Sequence, residues 1–245
     1  VILGVSEGER NFVGLAQAVA LVRSFREQYQ HPIFLNADHS YSFETAQEAI
    51  DQGVDSVIID GAALPFAENA ALVKKCVAYA ASSGRDVVVE GELGFIGTRS
   101  QVLKKIPDGV KIAPEYLTTP EDAARFVQET GAALLAPAVG NIHGMLEGGV
   151  DPTLDIARIR AIRALVSVPL VLHGGSGNSA ADIRAAIAAG VAIVHINTEL
   201  RAAFRKGLMR GLEESPDELA PYKYLKEPMR AVQKVVEEKL KIFNT

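Results

Sequence analysis

Three short stretches of the 245-residue sequence bring an apolar run to an imidazole: "NADHS" sets His39 beside Asp38, "GNIHGM" carries His143, and "LHGGSG" carries His173. A single histidine in such a place is ordinarily a hydrogen-bonded structural group. Three of them, each at or just past the end of a strand-like run, suit a catalytic Zn²⁺ held by neutral imidazoles with a position left open, ahead of Co²⁺, Fe²⁺ or Mn²⁺. Asp38, adjacent to one candidate ligand, would put a general acid or base within reach of whatever the metal polarises.

Carboxylates repeat the pattern. Asp60 closes "SVIID", where it reads equally well as a cap for the following helix and as a group lining the same mouth. Glu90 and Glu92 in "VVVEGELG" are two residues apart and share one strand face, so at least one enters the polar mouth. His195 stands two residues before Asn197 in "IVHINTEL" and faces the same way. "HGGSG", at 173–177, is a Gly-rich turn running into a helix, and such a turn offers backbone N–H groups and a positive helix end to a phosphate. With Asn197 and Thr198 opening the next helix, it matches the phosphate site formed after the last two strands of many α/β barrels.

The elements that must position these groups are legible as an alternation. Val- and Ile-rich runs predict strands at 1–5, 32–38, 56–60, 86–92, 133–139, 169–174 and 192–197. Between them, apolar residues recur every three or four positions in "NFVGLAQAVALVRSFREQY", "SFETAQEAIDQG", "FAENAALVKKCVAYAASSG", "TPEDAARFVQETG", "LDIARIRAIRALV" and "SAADIRAAIAAG". Ser42, Thr119 and Ser179 read as N-caps, and Gly53, Gly131 and Gly190 as stops. The strands are continuously apolar, as in a parallel sheet covered on both faces. No G-x-G-x-x-G follows the first strand, and the polar residues are spread over the ends of most strands. Both features favour a (β/α)8 TIM barrel, as one domain over 1–245, over an open doubly wound sheet. Seven predicted strands are one short of eight, so the first strand–helix unit precedes Val1 or one strand escapes the pattern. A basic amphipathic stretch, "PYKYLKEPMRAVQKVVEEKLKIF", adds a C-terminal helix that packs on the domain or on another subunit.

Composition narrows the function classes. Hydrophobic residues make up 48% and charged residues 22%, the balance of a globular protein with a substantial core. A net charge of −5 gives no electrostatic basis for binding nucleic acid or an anionic membrane, and no apolar run approaches the roughly 20 residues of a membrane span. The one cysteine, Cys76, lies in a helical pattern, which predicts a buried apolar side chain in a reducing cytoplasm.

"NADHS", "VEGELG", "GNIHG", "LHGGSG" and "INTEL", in this order and at these spacings, resemble the class II, metal-dependent ketose-bisphosphate aldolases that act on fructose or tagatose bisphosphate, and the resemblance covers nearly the whole chain. It implies a Zn²⁺ lyase of cytoplasmic carbohydrate metabolism and glycolysis. Such an enzyme reversibly cleaves a ketose 1,6-bisphosphate, fructose 1,6-bisphosphate by default, into dihydroxyacetone phosphate and glyceraldehyde 3-phosphate. It further implies His39, His143 and His173 as the zinc ligands and Asp38 as the acid/base at the C4 hydroxyl. Asp60 and Glu92 would lie near an alternative metal position, with room for a second divalent or a monovalent cation. Ser6 would stand near a substrate phosphate, and Gly144, Gly174, Gly175, Ser176, Asn197 and Thr198 would form the dihydroxyacetone-phosphate site. A homodimer or higher homo-oligomer is the family-based expectation.

The sequence departs from the family pattern at four places. Glu147 replaces a lysine that follows the second histidine, and His195 replaces an asparagine, either keeping the hydrogen bond to substrate or adding a titratable group. The loop "GFIGTRSQVLKKIPDG" lacks the family's acidic pair, so no residue takes its proton-transfer role. The first strand, with its substrate-contacting asparagine, lies before Val1 or is absent. These departures leave room for tagatose 1,6-bisphosphate or another sugar phosphate as substrate. They equally admit a different metal-dependent lyase or hydrolase, or a non-catalytic sugar-phosphate-binding barrel.

Overall fold

The computed structural model of the chain describes every residue except Arg99, Pro107, Gly149, Val150 and Thr245. The elements follow one another as β1 (Ile2–Ser6), α1 (Glu7–Val13), α2 (Leu15–Tyr29), β2 (Phe34–Ser40), α3 (Phe43–Gln52), β3 (Ser56–Ile59), α4 (Phe66–Ser82) and β4 (Val88–Leu93). Then come β5 (Val102–Leu103), a 3₁₀ turn (Pro114–Tyr116), α5 (Pro120–Thr130), β6 (Leu134–Pro137), β7 (Met145–Leu146), α6 (Ile156–Leu165) and β8 (Leu170–Leu172). The chain ends with α7 (Ala180–Ala189), β9 (Val191–Val194), α8 (Thr198–Glu214), α9 (Pro221–Tyr224) and α10 (Lys226–Phe243). One sheet has the strand order β1-β2-β3-β4-β6-β8-β9, and its pairs from β1 through β8 are parallel. All seven strands expected from the apolar runs are present in this α/β fold. The additional strands β5 and β7 pair with each other outside that sheet, and at two residues each they have no periodicity to betray them.

Two compact units divide the chain. The first comprises Val1–Phe95, Thr118–Pro137 and Ala161–Leu170. Its core is built where β-branched strand residues meet small helical ones: Val57, Ile58 and Ile59 of β3, Ala46, Ala49 and Ile50 of α3, and Val73 and Cys76 of α4 are all fully buried. Burying each large aliphatic side chain there contributes roughly 1.5–3 kcal/mol. Gly91 in β4 is part of this packing. A Cβ at Gly91 would lie 2.7 Å from Phe126 Cε1 on α5, so only glycine lets helix and strand approach this closely. The predicted N-caps act as expected: Ser42 Oγ accepts from the Thr45 N–H at 3.2 Å, and Thr119 Oγ1 from the Asp122 N–H at 3.1 Å.

One expected helix is two. The periodic stretch 11–29 is broken at Gly14, whose φ of +89° ends α1 and starts α2. α1 also starts earlier than the apolar pattern suggests, because Ser6 and Glu9 form a capping box.

The second unit comprises Ile96–Leu117, Ala138–Arg160 and Val171–Thr245. Here the His195 N–H donates to the Leu172 carbonyl at 2.9 Å, which ties the end of β9 to β8. Helices α8, α9 and α10 pack closely because Gly207 and Gly211 share one face of α8. A Cβ at Gly207 would lie 2.6 Å from Pro228 Cα, and one at Gly211 2.6 Å from the Tyr224 carbonyl oxygen. The basic amphipathic C-terminal stretch therefore packs on α8. Among the described residues, no helix is long and apolar enough to cross a membrane.

Candidate active site

Strand β2 runs on to Ser40, so Asp38 and His39 lie within the strand and not beyond it. Their placement comes from a bulge: Ala37 pairs with Val57 and Ser40 with Ile59, so the two residues between face Ile58 alone. His39 accommodates the extra residue with φ +44°, a left-handed conformation that non-glycine residues seldom take. A regular strand would send neighbouring side chains to opposite faces. The bulge instead leaves Asp38 Oδ1 3.7 Å from His39 Nε2.

The other edge of the imidazole meets the predicted carboxylates. His39 Nδ1 lies 2.9 Å from Asp60 Oδ2 and 3.5 Å from Glu92 Oε2. Asp60 spans two jobs, because its Oδ1 accepts the Ala62 N–H at 3.0 Å and so caps the turn after β3. Glu92 faces the imidazole from β4, and Glu90, on the same strand face, is buried as well. His39, Asp60 and Glu92 each offer an atom within 4.8 Å of the others, a donor set that fits one cation.

The electrostatics agree with a site built for positive charge. Burial opposes the imidazolium most strongly. The hydrogen bond from Asp60 and the charges of Glu92, Asp38 and Asp60 outweigh it and push the His39 pKa up to about 10. Burial raises the Glu92 carboxyl well above its ordinary range, and repulsion from Asp60, Glu90 and Asp38 adds to it against the attraction of His39. A divalent cation would take the place of the imidazole proton and relieve the crowding of carboxylates.

In the second unit three histidines, His143, His173 and His195, gather. The rings of His143 and His173 are 5.7 Å apart between centroids, and His195 stacks on His173 at 4.3 Å with 17° between the planes. His143 Nδ1 bonds the Gly97 carbonyl, which leaves Nε2 as its outward nitrogen. Asn141 holds the end of β8, its Nδ2 donating to the His173 carbonyl at 3.0 Å while its Oδ1 accepts the Val139 N–H.

Glycines at this end are obligatory. Gly174 has φ +63°, and a Cβ there would lie 2.0 Å from the Ile142 carbonyl oxygen; Gly144 has φ +109° and lies against Leu103. The loop's amides are partly committed already: Gly175 N–H donates to the His195 carbonyl at 3.1 Å and Gly177 N–H to Glu199 Oε1 at 3.0 Å. Ser176 Oγ accepts from the N–H groups of Asn197 and Glu199, so the loop closes over the N-terminus of α8, where Asn197 is the cap residue and Thr198 the first, buried, helical residue. α7 is satisfied separately by Ser179, whose Oγ accepts the Asp182 N–H. Ser6, in the first unit, is occupied as the N-cap of α1.

The geometry adds residues that the motifs did not single out. Glu199 Oε1 also receives Lys239 Nζ at 2.7 Å, which anchors the Gly-rich loop to α10. Arg10, only 8% exposed, reaches the bulge from α1. Glu199 and Asn141 lie inside "INTEL" and "GNIHG", so their sequence signal is the motif itself. Arg10 gave no sequence signal, since a charged residue in a polar helix turn reads as solvated. Glu147, which replaces the expected lysine, is exposed, and its backbone N–H bonds the Leu103 carbonyl.

Parallel strands alternating with helices, with polar groups collected at strand ends and Gly-rich turns, define an α/β-barrel type of enzyme. Comparison with known proteins narrows this. The family described as fructose-bisphosphate aldolase class-II matches residues 1–245. A Bacillus subtilis (strain 168) protein named "Probable fructose-bisphosphate aldolase" is 37% identical over 248 residues, covering 100% of this chain and 83% of that protein. The YdjI aldolase of Escherichia coli K12 superposes with a TM-score of 0.77 at 31% identity, over 99% of this chain and 80% of its own. The fructose-bisphosphate aldolase of Campylobacter jejuni has the same fold, with a TM-score of 0.80 at 21% identity over 100% of this chain and 83% of its own. The chain belongs to the class II fructose-bisphosphate aldolase family and is an aldolase, a lyase.

Proposed function

We propose that the chain is a zinc-dependent aldolase that cleaves a ketose 1,6-bisphosphate, fructose 1,6-bisphosphate by default, and runs the condensation in reverse. The observation that carries this reading is the β2 bulge, which presents an imidazole and a carboxylate from consecutive residues, Asp38 and His39, in a member of this family. His39, His143 and His173 would hold the zinc, with Asp60 and Glu92 providing a second position for a cation. Zinc, when bound, supplies Lewis-acid stabilisation of the charge that develops at the substrate carbonyl.

The chain's own residues do the rest. Asp38 takes the proton from the C4 hydroxyl during cleavage and returns it during condensation. Asp60 keeps the His39 proton on Nδ1, which leaves Nε2 as the donor nitrogen. Gly174 to Ser176 and the first turn of α8 accept the phosphate of the ketose-derived half, and His195 binds substrate oxygen where the family has an amide. Ser6 would stand near a substrate phosphate.

The test is retro-aldol cleavage of fructose 1,6-bisphosphate, coupled to triose-phosphate detection, on metal-stripped and zinc-reloaded protein, with tagatose 1,6-bisphosphate in parallel. Activity should vanish on stripping and return with zinc, and Asp38→Asn should keep its zinc while losing about 10²–10⁴-fold in kcat. Turnover that survives complete metal removal, or wild-type turnover by Asp38→Asn, overturns the reading.

A further inference from the structure

Asp38 and His39 owe their shared orientation to one backbone irregularity, and something must hold it. Among the described residues, only Gln30 and His39 are non-glycine with positive φ, and Gln30 merely caps the end of α2. A left-handed histidine inside a strand is strained, so a regular β2 is the ready alternative. Loss of the extra residue from the bulge would shift the pairing by one and turn Asp38 and His39 to opposite faces.

The group that opposes this collapse comes from a different element. Arg10 on α1 donates from Nη2 to the His39 carbonyl at 3.1 Å and from Nη1 to Ser40 Oγ at 3.3 Å. Its side chain is 7% exposed, and Glu7 Oε1 lies 3.8 Å from the same Nη2. The desolvation of this guanidinium lowers its pKa, and the charges of Glu7, Asp38 and Glu48 counter that effect. A buried cation is expensive unless it is paired and hydrogen-bonded. Here it grips the carbonyl of the strained residue and the side chain of the next one, so the bulge is clamped across both its last two residues. The Ser6–Glu9 capping box fixes the start of the helix that carries the clamp.

We propose that Arg10 is a positioning residue: it locks the left-handed conformation of His39 and thereby aims the His39 imidazole and the Asp38 carboxylate together into the metal site. The inference rests on the zinc-aldolase reading for the identity of the group His39 receives. Arg10 bonds the His39 carbonyl and Ser40 Oγ, so its effect passes through the bulge.

The full-length chain is tested as Arg10→Met and Arg10→Lys, with Val73→Ala, a core truncation on α4, as the control for lost stability. The dissociation constant for zinc is measured by competition with a chromophoric chelator at pH 7.5, and unfolding of the metal-free proteins is followed alongside. Arg10→Met should weaken zinc about 10–100-fold, the usual effect of removing an outer support of a metal ligand. Arg10→Lys, with one donor centre in place of a fork, should fall between it and wild type. Val73→Ala should lose stability and keep wild-type zinc affinity. Wild-type affinity in Arg10→Met, or an equal loss in Val73→Ala, overturns the positioning role. Should Arg10→Met fail to fold, Arg10→Lys against Val73→Ala decides the matter alone. Failure of the wild-type protein to bind zinc would instead remove the reading on which the proposal stands, and the proposal with it.

Discussion

Replacement of Asp60 separates two effects that a carboxylate exerts on the imidazole proposed to bind the metal. Asp60 Oδ2 accepts from His39 Nδ1 at 2.9 Å, in a pocket where His39 is 9% exposed. Asp60→Ala leaves that N–H only the more distant Glu92 Oε2 at 3.5 Å, a loss of up to about 1–3 kcal/mol, and loosens the ring's orientation. Outer-sphere losses of this kind weaken metals about 10–100-fold. Asp60→Asn retains a neutral acceptor and should lie at the lower end, while Asp60→Ala should reach the upper.

The proton supplies the second effect. In the proposed reading zinc displaces the Nε2 proton of the His39 imidazolium, whose pKa is about 10, so wild-type affinity should rise about tenfold per pH unit between pH 7 and 9. Without the Asp60 charge that proton is held less tightly, and the slope should flatten in both variants. The gap between wild type and variant should therefore be widest at pH 9. The same sign governs the metal-free protein. A histidine whose folded pKa is raised stabilises the fold fully below its unfolded value near 6.5, and this stabilisation is lost as pH rises through 10. Competitive zinc titrations at three pH values measure all of this. A wild-type affinity that does not change with pH, or an Asp60→Ala curve that overlies it, would refute the assignment of Asp60 as the group that orients and charges His39.

Two further outcomes follow from packing and charge. The Lys239–Glu199 pair, with side chains 12% and 22% exposed at 2.7 Å, should show a coupling energy of about 1–2 kcal/mol in a double-mutant cycle of Lys239→Met and Glu199→Gln, read by denaturant unfolding. Lys239→Met should also raise KM for the bisphosphate more than it lowers kcat, because it leaves a carboxylate uncompensated beside the Gly-rich loop; a coupling under about 0.3 kcal/mol would dismiss the anchor. Gly91→Ala drives a methyl against Phe126 and should destabilise by about 1–3 kcal/mol, whereas Gly8→Ala, with nothing within 4 Å of the new Cβ, should stabilise α1 by up to about 1 kcal/mol. Thermal unfolding of the two variants checks both signs at once.

Much of this architecture was written in local patterns. The strands announced themselves as apolar runs because a parallel sheet is covered on both faces, and the helices by caps whose side chains do bond the predicted amides, as Ser42, Thr119 and Ser179 show. What escaped has physical reasons. Gly14 looked like a tolerated glycine inside one helix, because only a three-dimensional path shows that φ must be positive there. β5 and β7 are held by each other over two residues and carry no pattern of their own. Arg10 and Lys239 act across 29 and 40 residues of sequence, on His39 and Glu199, and no window of neighbouring residues contains such a partnership.

The Asp38–His39 pair shows where pattern and mechanism part company. As a sequence it poses a contradiction, since consecutive strand residues should point apart, and placing the pair at the end of the strand was one way out. The strand instead continues, and an inserted residue at a left-handed histidine turns both side chains to one purpose. The consequence reaches beyond geometry. A ligand whose aim depends on a strained backbone needs a clamp, and the clamp here is a buried guanidinium that itself needs the carboxylates Glu7 and Asp38 nearby. The acid that moves the substrate proton in the proposed reaction thus also helps to hold the cation that positions it. On that account, Asp38→Asn should disturb the bulge slightly as well as the chemistry, and Arg10→Met should disturb the chemistry only through the bulge.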